Sequence, residues 1–311
     1  MSKDAAPFPT ESDDAGTFYR QESHCRDRVT TDGSSPFPAA AGRYHLYVSL
    51  ACPWAHRAII VRQLKGLQEA IGMTVVDPIR TEEEGWRFSD EEPDPVNGWS
   101  FLREAYRISD PSFDGRVTVP VLWDTETSTI VNDESSEVIE MLNCAFDDFA
   151  GEPELDLYPA AQRSGIDDLN HRIYETVNDG VYRAGFAASQ RAYEKAVIPL
   201  FDTLDELEER LARSRFLFGT SQTLADWRLF TTLVRFDPVY HGHFKCNVRK
   251  LAEYPNLFAY LRDLYQAPGV AATVDMDHIK RHYYMTHPTI NPTGVVPLGP
   301  VQDLDAPHGR S

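Results

Sequence analysis

The chain has 311 residues, 42% of them hydrophobic and 11% aromatic, which is enough for a sizeable core in one or two domains and excludes disorder throughout. Its 48 acidic and 30 basic residues give a formal charge of -18, which repels a phosphate backbone and excludes nucleic acid as a natural partner. No run approaches the roughly 18 consecutive apolar residues of a membrane helix, and the acidic, polar residues 1–31 lack the pattern of a signal peptide, so the expectation is a cytoplasmic protein with no membrane attachment.

The four cysteines (Cys25, Cys52, Cys144, Cys246) are scattered without a CxxC pair, which reads as reduced thiols rather than a disulfide scaffold. Lysines are few beside arginines, and the acidic excess runs the whole length of the chain. Adaptation to high salt and a GC-rich genome that favours Arg over Lys both account for such a surface.

Residues 1–43 mix Pro, Ser, Asp and Gly without period and read as an extended arm anchored by Phe8, Phe18, Tyr19 and Phe37. Residues 44–49 are a short aromatic and β-branched run. Residues 54–70 follow with apolar positions at helical spacing, and 73–79 read as a second buried strand, making a βαβ unit. Residues 80–116 show no clean period and read as an insertion carrying Trp86 and Trp99. Residues 117–123 and 128–131 are then two strands joined by a turn, and a helix starts near 132–135 and runs to about 146. The order βαβ, ββ, α is that of a thioredoxin-like layer. From 160 the pattern is helical, with segments near 160–183, 189–213, 223–237 and 254–267; Thr223 with Asp226 three residues on is a capping-box signal. The expected division is an N-terminal extension (1–43), a thioredoxin-like α/β domain (44–148), an all-α domain (160–284) and a Pro- and Gly-rich tail (285–311).

Chemistry concentrates at residues 49–57, SLACPWAHR, where a cysteine falls between strand and helix. Pro53 suits the first helical position, so the Cys52 thiol meets the positive end of the helix dipole, which favours thiolate and marks it as a nucleophile. Ala55 stands where a resolving cysteine would be, so an external thiol must break any disulfide formed there. In VTVPVL (117–122) Pro120 cannot donate to a ladder; either it follows a cis peptide that turns Val119 toward an extended peptide ligand, or it is an ordinary trans proline on an edge strand. The helix start at Asn132, Asp133, Glu134 and Ser135 offers free N–H groups to a carboxylate and Glu134 to an ammonium, or is simple N-capping.

These elements, in this order, resemble the glutathione transferase fold. The segments YHLYVSLACPWAHRAIIVRQLKGL, VTVPVLWD, IVNDESSEVIEML, GVYRAGFA, FTTLVRFDPVYHGHFKCN, YPNLFAYLRDLYQ and INPTGVVPLGP narrow the resemblance to the glutathionyl-hydroquinone reductases, or Xi-class glutathione transferases, over about residues 40–300. The resemblance implies Cys52 as nucleophile, and Trp86, Arg116, Val117, Thr118, Val119, Glu134 and Ser135 holding the thiol tripeptide. It further implies Tyr182 exchanging the proton, with Tyr240 and Tyr283 beside the sulfur; a phenol can donate to a thiolate or to a substrate oxygen.

The implied reaction is reductive removal of glutathione from aromatic glutathionyl-hydroquinone adducts by a homodimer, with glutathione, or γ-glutamylcysteine if the cell is halophilic, as co-substrate and no metal. The HxHxxC run at His241, His243 and Cys246 and the pair His278 and His282 each leave a metal site incomplete. Two alternatives stay open: a cysteine-type transferase with thioltransferase or dehydroascorbate reductase activity, and a non-catalytic interaction module of the same fold.

Overall fold

The computed structural model describes residues 11–81 and 85–311; the expected anchor Phe8 lies outside them. The chain divides into two compact units. Among the described residues, a sheet unit takes those of 21–157 and 268–282, and a helical unit takes 11–20, 158–267 and 283–311.

In the sheet unit two short strands of the arm, β1 (Val29–Thr30) and β2 (Phe37–Pro38), pair in parallel. The main sheet has the order β4 (Ile71–Val75), β3 (Tyr44–Val48), β5 (Val121–Asp124), β6 (Thr129–Asn132). β3 runs parallel to β4, as a βαβ unit requires, and antiparallel to β5, which forms a hairpin with β6. Every residue of β3 is buried, which matches its unbroken apolar and aromatic run. Helix α1 (Pro53–Leu64) packs beside α3 (Ser135–Cys144), and α2 (Arg103–Ser109), inside the segment expected to be irregular, lies on β6.

Helix α1 ends six residues before the expected position. Gly66 takes φ +66, the Leu67 N–H returns to the Arg62 carbonyl at 3.0 Å and the Gly66 N–H to Gln63 at 3.1 Å, a Schellman stop. Only glycine fits there, since a Cβ would stand 2.9 Å from the Gly151 backbone. The strand expected over 117–123 begins only at Val121, because Pro120 brings no N–H to the ladder. Of the expected arm anchors, Phe18 and Phe37 are buried, whereas Tyr19 is 57% exposed, its hydroxyl donating to Asp13 at 2.9 Å.

The helical unit contains α4 (Arg163–Ile173), α5 (Gly180–Gly185), α6 (Gln190–Leu211), α7 (Leu224–Arg235) and α8 (Pro255–Tyr265). The capping box at α7 forms: Asp226 accepts the Thr223 N–H at 2.7 Å, and its other oxygen takes the Leu217 N–H at 2.9 Å and the Tyr260 hydroxyl at 2.8 Å. Wider turns with i to i+5 bonds follow α4 (Tyr174–Asn178) and α7 (Phe236–Tyr240). A further helix, α9 (Met276–Met285), was not expected from the periodicity; its residues up to His282 belong to the sheet unit and those from Tyr283 to the helical unit. Its one local signal is Asp275, whose carboxylate takes the His278 N–H at 2.8 Å.

Candidate active site

Cys52 is the N-cap of α1, with extended backbone (φ -78, ψ 120), and Pro53 occupies the first helical position. The half-buried thiol donates to the Val119 carbonyl at 3.5 Å. The Val119–Pro120 bond is cis, and no partner for the Val119 N–H is found among the described residues. Val119 therefore faces Cys52 through its carbonyl oxygen.

The other cysteines differ. Burial, and then Asp133 beside it, pushes the Cys25 thiol up to about 12. Burial also pushes the fully enclosed Cys246 well up, with Lys245 opposing.

Glu134 is the N-cap of α3, its carboxylate accepting from the Ser136 N–H at 3.0 Å and the Ser136 hydroxyl at 2.8 Å. Oε1 thus caps α3, one of the two expected roles, while Oε2 takes the Ser23 hydroxyl at 2.9 Å. Burial pushes the Glu134 carboxyl up, but the Ser136 and Ser23 donors and Arg57 outweigh it and hold it below its usual value. Buried Arg57 donates to the Ser135 hydroxyl at 3.2 Å and lies over the Trp54 ring at 4.5 Å.

Residues 116–118 approach the same region by a different route. The Arg116 N–H donates to the Gln21 side-chain oxygen at 2.8 Å, and the Gln21 amide donates back to the Arg116 carbonyl at 3.2 Å. Val117 is buried. Thr118 is tied to Tyr106, whose hydroxyl accepts the Thr118 N–H at 3.4 Å and donates to Asp133 at 3.0 Å. Trp86 is buried and stacks on His282 at 5.0 Å and 23°, and the Nδ1 of His282 lies 2.8 Å from the Pro78 carbonyl, which fixes that nitrogen as a donor.

The three tyrosines come together in the helical unit although they stand on α5, on the wide turn after α7 and on α9. The Tyr182 and Tyr283 hydroxyls are 2.5 Å apart, and those of Tyr240 and Tyr283 are 3.1 Å apart. Phe244 backs the group, stacked on Tyr240 at 5.6 Å and 5.5 Å from Tyr182. Burial, then the Tyr182 and Tyr240 phenols, push Tyr283 well above the usual phenol range, with Arg235 opposing.

Sequence reading placed the arm on the surface and so missed Gln21 and Ser23, which reach Arg116 and Glu134, and Arg20, which reaches Tyr182. It gave Arg57 no role and weighed His282 only as a metal ligand. For Arg57 the legible signal was a charged residue in the second turn of the helix that starts at the cysteine, directly before the apolar run 58–61.

Of the histidines weighed as metal ligands, His243 pairs with His287 at 3.0 Å and His278 lies 3.4 Å from Ser49 Oγ; among the described residues no three ligating side chains gather. A groove of about 550 Å³ in the helical unit, bordered by Arg172, Glu206, Arg210 and Phe218, includes none of the candidate residues.

Comparison with known proteins agrees with this layout. The family models described as glutathione S-transferase N-terminal and C-terminal domain match residues 51–144 and 190–263. The chain is 52% identical over 306 residues to the glutathionyl-hydroquinone reductase YqjG of Escherichia coli, covering 95% of this chain and 92% of that one. It is 51% identical to the glutathionyl-hydroquinone reductase PcpF of Sphingobium chlorophenolicum, covering 93% and 91%. Among solved structures, glutathione-bound YqjG superposes with a TM-score of 0.89 at 51% identity, covering 92% and 96%. A Xi-class transferase from Natrialba magadii gives 0.90 at 51%, covering 92% and 88%.

Proposed function

The chain belongs to the glutathionyl-hydroquinone reductases, the Xi class of glutathione transferases, and on that basis we propose that it reductively removes glutathione from glutathionyl-hydroquinones. The carrying observation is Cys52 at the N-terminus of α1, facing the Val119 carbonyl, with no second thiol in its turn. Such a thiol forms a mixed disulfide that only an external thiol resolves.

Cys52 thiolate attacks the sulfur of the adduct. The carbon–sulfur bond breaks with its electron pair going to the aromatic carbon, which takes a proton and departs as the hydroquinone. A second glutathione, giving up its thiol proton, attacks the mixed disulfide; oxidised glutathione leaves and the thiolate returns. One adduct and one thiol thus become one hydroquinone and one disulfide, with ping-pong kinetics.

Tyr182 is assigned the proton delivered to carbon, and Tyr240 and Tyr283 the support of that phenol. Glu134 and Ser135, with the N-terminus of α3, are assigned the γ-glutamyl end, and the Val119 backbone the cysteine. Trp86, Arg116, Val117 and Thr118 are assigned the remainder of the tripeptide. γ-Glutamylcysteine lacks the glycine residue, whose carboxylate is the one assigned contact it would lose, so both thiols should serve, differing by the ~1–2 kcal/mol of one charge-assisted hydrogen bond. The enzyme is read as a homodimer.

The test is incubation with glutathionyl-menadiol and glutathione, with product analysis. Equal amounts of menadiol and oxidised glutathione, absent with Cys52→Ala, are expected. No product, with Cys52 inert to iodoacetamide at pH 6, would leave a binding module of the same fold. A strong preference for dehydroascorbate or small disulfides would favour the thioltransferase reading.

A further inference from the structure

We propose that Arg20, on the arm that precedes the sheet, is a positioning residue that makes Tyr182 the proton donor of the tyrosine group. This rests on Tyr182 as the acid of the proposed reaction and adds what sets its acidity. The Arg20 guanidinium lies over the Tyr182 ring, 4.7 Å from its centroid, while its Nε donates to Asp179 Oδ1 at 2.9 Å. The Tyr182 N–H donates to the Asp179 carbonyl at 3.0 Å, so Asp179 fixes both the cation and the residue that carries the ring.

The arm is seated for this contact. Phe18 is 1% exposed and meets Phe186 edge-on at 5.1 Å, and the Ala188 N–H donates to the Gly16 carbonyl at 3.0 Å. Gly16 has φ +80, and a Cβ there would stand 3.0 Å from the Ala188 backbone, so this approach requires glycine.

A cation on the face of a phenol is attracted to the ring and more strongly to the phenolate, so it strengthens the acid. A phenolate at Tyr182 would also accept from the Tyr283 hydroxyl at 2.5 Å, which has Tyr240 at 3.1 Å on its other side. Tyr283, enclosed and held protonated, is suited to remain the donor. The other charges nearby are Asp179, which offsets part of the Arg20 charge, and Arg183, whose Nε lies 3.5 Å from Asp179. Tyr174 faces Arg20, and Arg235 and the His287 ring face Tyr283. With 27% of its side chain exposed, Arg20 is partly screened, which sets the expected effect at about one pH unit, a factor of ten.

The experiment compares the pH profile of kcat for glutathionyl-menadiol reduction in the parent, Arg20→Met, Arg20→Lys and Tyr182→Phe, together with iodoacetamide alkylation of Cys52. In Arg20→Met the alkaline limb should move up by about one unit and neutral-pH kcat should fall by up to about tenfold. Arg20→Lys should recover most of both, and Cys52 alkylation should be unchanged. An alkaline limb that stays in place in folded Arg20→Met, while Tyr182→Phe is strongly impaired, overturns the role of Arg20 and leaves the reaction standing. Full activity in Tyr182→Phe overturns the acid assignment itself, and this proposal with it. If Arg20→Met does not fold, Arg20→Gln decides: it keeps a donor for Asp179 but removes the charge over the ring, so the limb should move up, and an unmoved or lowered limb overturns the proposal.

Discussion

Tyr182 and Tyr283 lie 101 positions apart and share a hydrogen bond of 2.5 Å between their hydroxyls, with Tyr240 joined to Tyr283 at 3.1 Å. The three phenols form a chain in which Tyr283 is the middle member. Removing the middle hydroxyl should therefore weaken the acid without abolishing it. Tyr283→Phe is expected to lower kcat about tenfold, and Tyr182→Phe about a hundredfold or more, the range of a lost general acid. Steady-state kinetics with glutathionyl-menadiol check the order; a larger loss in Tyr283→Phe than in Tyr182→Phe would reverse the two assignments.

Cys52→Ala should abolish the reaction, and Cys52→Ser should retain no more than a few per cent. The remaining thiols offer no substitute: Cys25 and Cys246 are held protonated by burial, and Cys144 sits at the far end of α3. The alkylation rate of the parent should rise through an inflection well below the free-cysteine value of about 8.5. An inflection at 8.5 would mean that the end of α1 does nothing for the thiol.

Gly185 packs under the tyrosines: a Cβ there would lie 2.3 Å from the Phe244 ring and 2.8 Å from its Cβ. Phe244 in turn touches Tyr182 and Tyr240. Gly185→Ala should cost about 1–3 kcal/mol by overpacking and lower kcat at temperatures where the protein is still folded. Denaturant unfolding alongside kinetics separates the two effects, and an unchanged kcat would show that the phenols do not depend on this packing.

His45 and His243 are buried in different units. Burial, opposed at His45 by Asp94 and reinforced at His243 by Lys245, holds each imidazole down from 6.5 to about 4. The unfolded chain takes these protons near 6.5 and the native one only near 4, so the unfolded state binds more protons in that interval. Stability is therefore fully present above 6.5 and falls with decreasing pH, by about 1.4 kcal/mol per unit for each histidine, until about 4. Urea unfolding at several pH values should give this slope, and His243→Asn should remove roughly half of it. An unaltered slope in that variant would exclude His243 as a source.

Much of the fold was legible because its signals are local. The apolar and β-branched runs, the Pro after Cys52 and the capping pair Thr223 and Asp226 act within a few residues, and each marks the element found. The boundaries moved where a single residue imposed a tertiary condition: Gly66 stops α1 because the Gly151 backbone crosses there, and Pro120 delays β5. Helix α9 escaped because it is short and carries only the Asp275 cap as a start signal.

By itself the sequence determined the acidic surface, the chain order of the four main-sheet strands with α1 and α3, and the placing of one cysteine at a helix start, since these depend on composition and on neighbours along the chain. Only the tertiary structure decided that Ser23 and Gln21 reach Glu134 and Arg116, that Arg20 covers Tyr182, and that Tyr182, Tyr240 and Tyr283 share hydrogen bonds. No short-range pattern encodes such meetings, because they arise when separate elements bury their apolar faces and the polar groups carried with them must find partners.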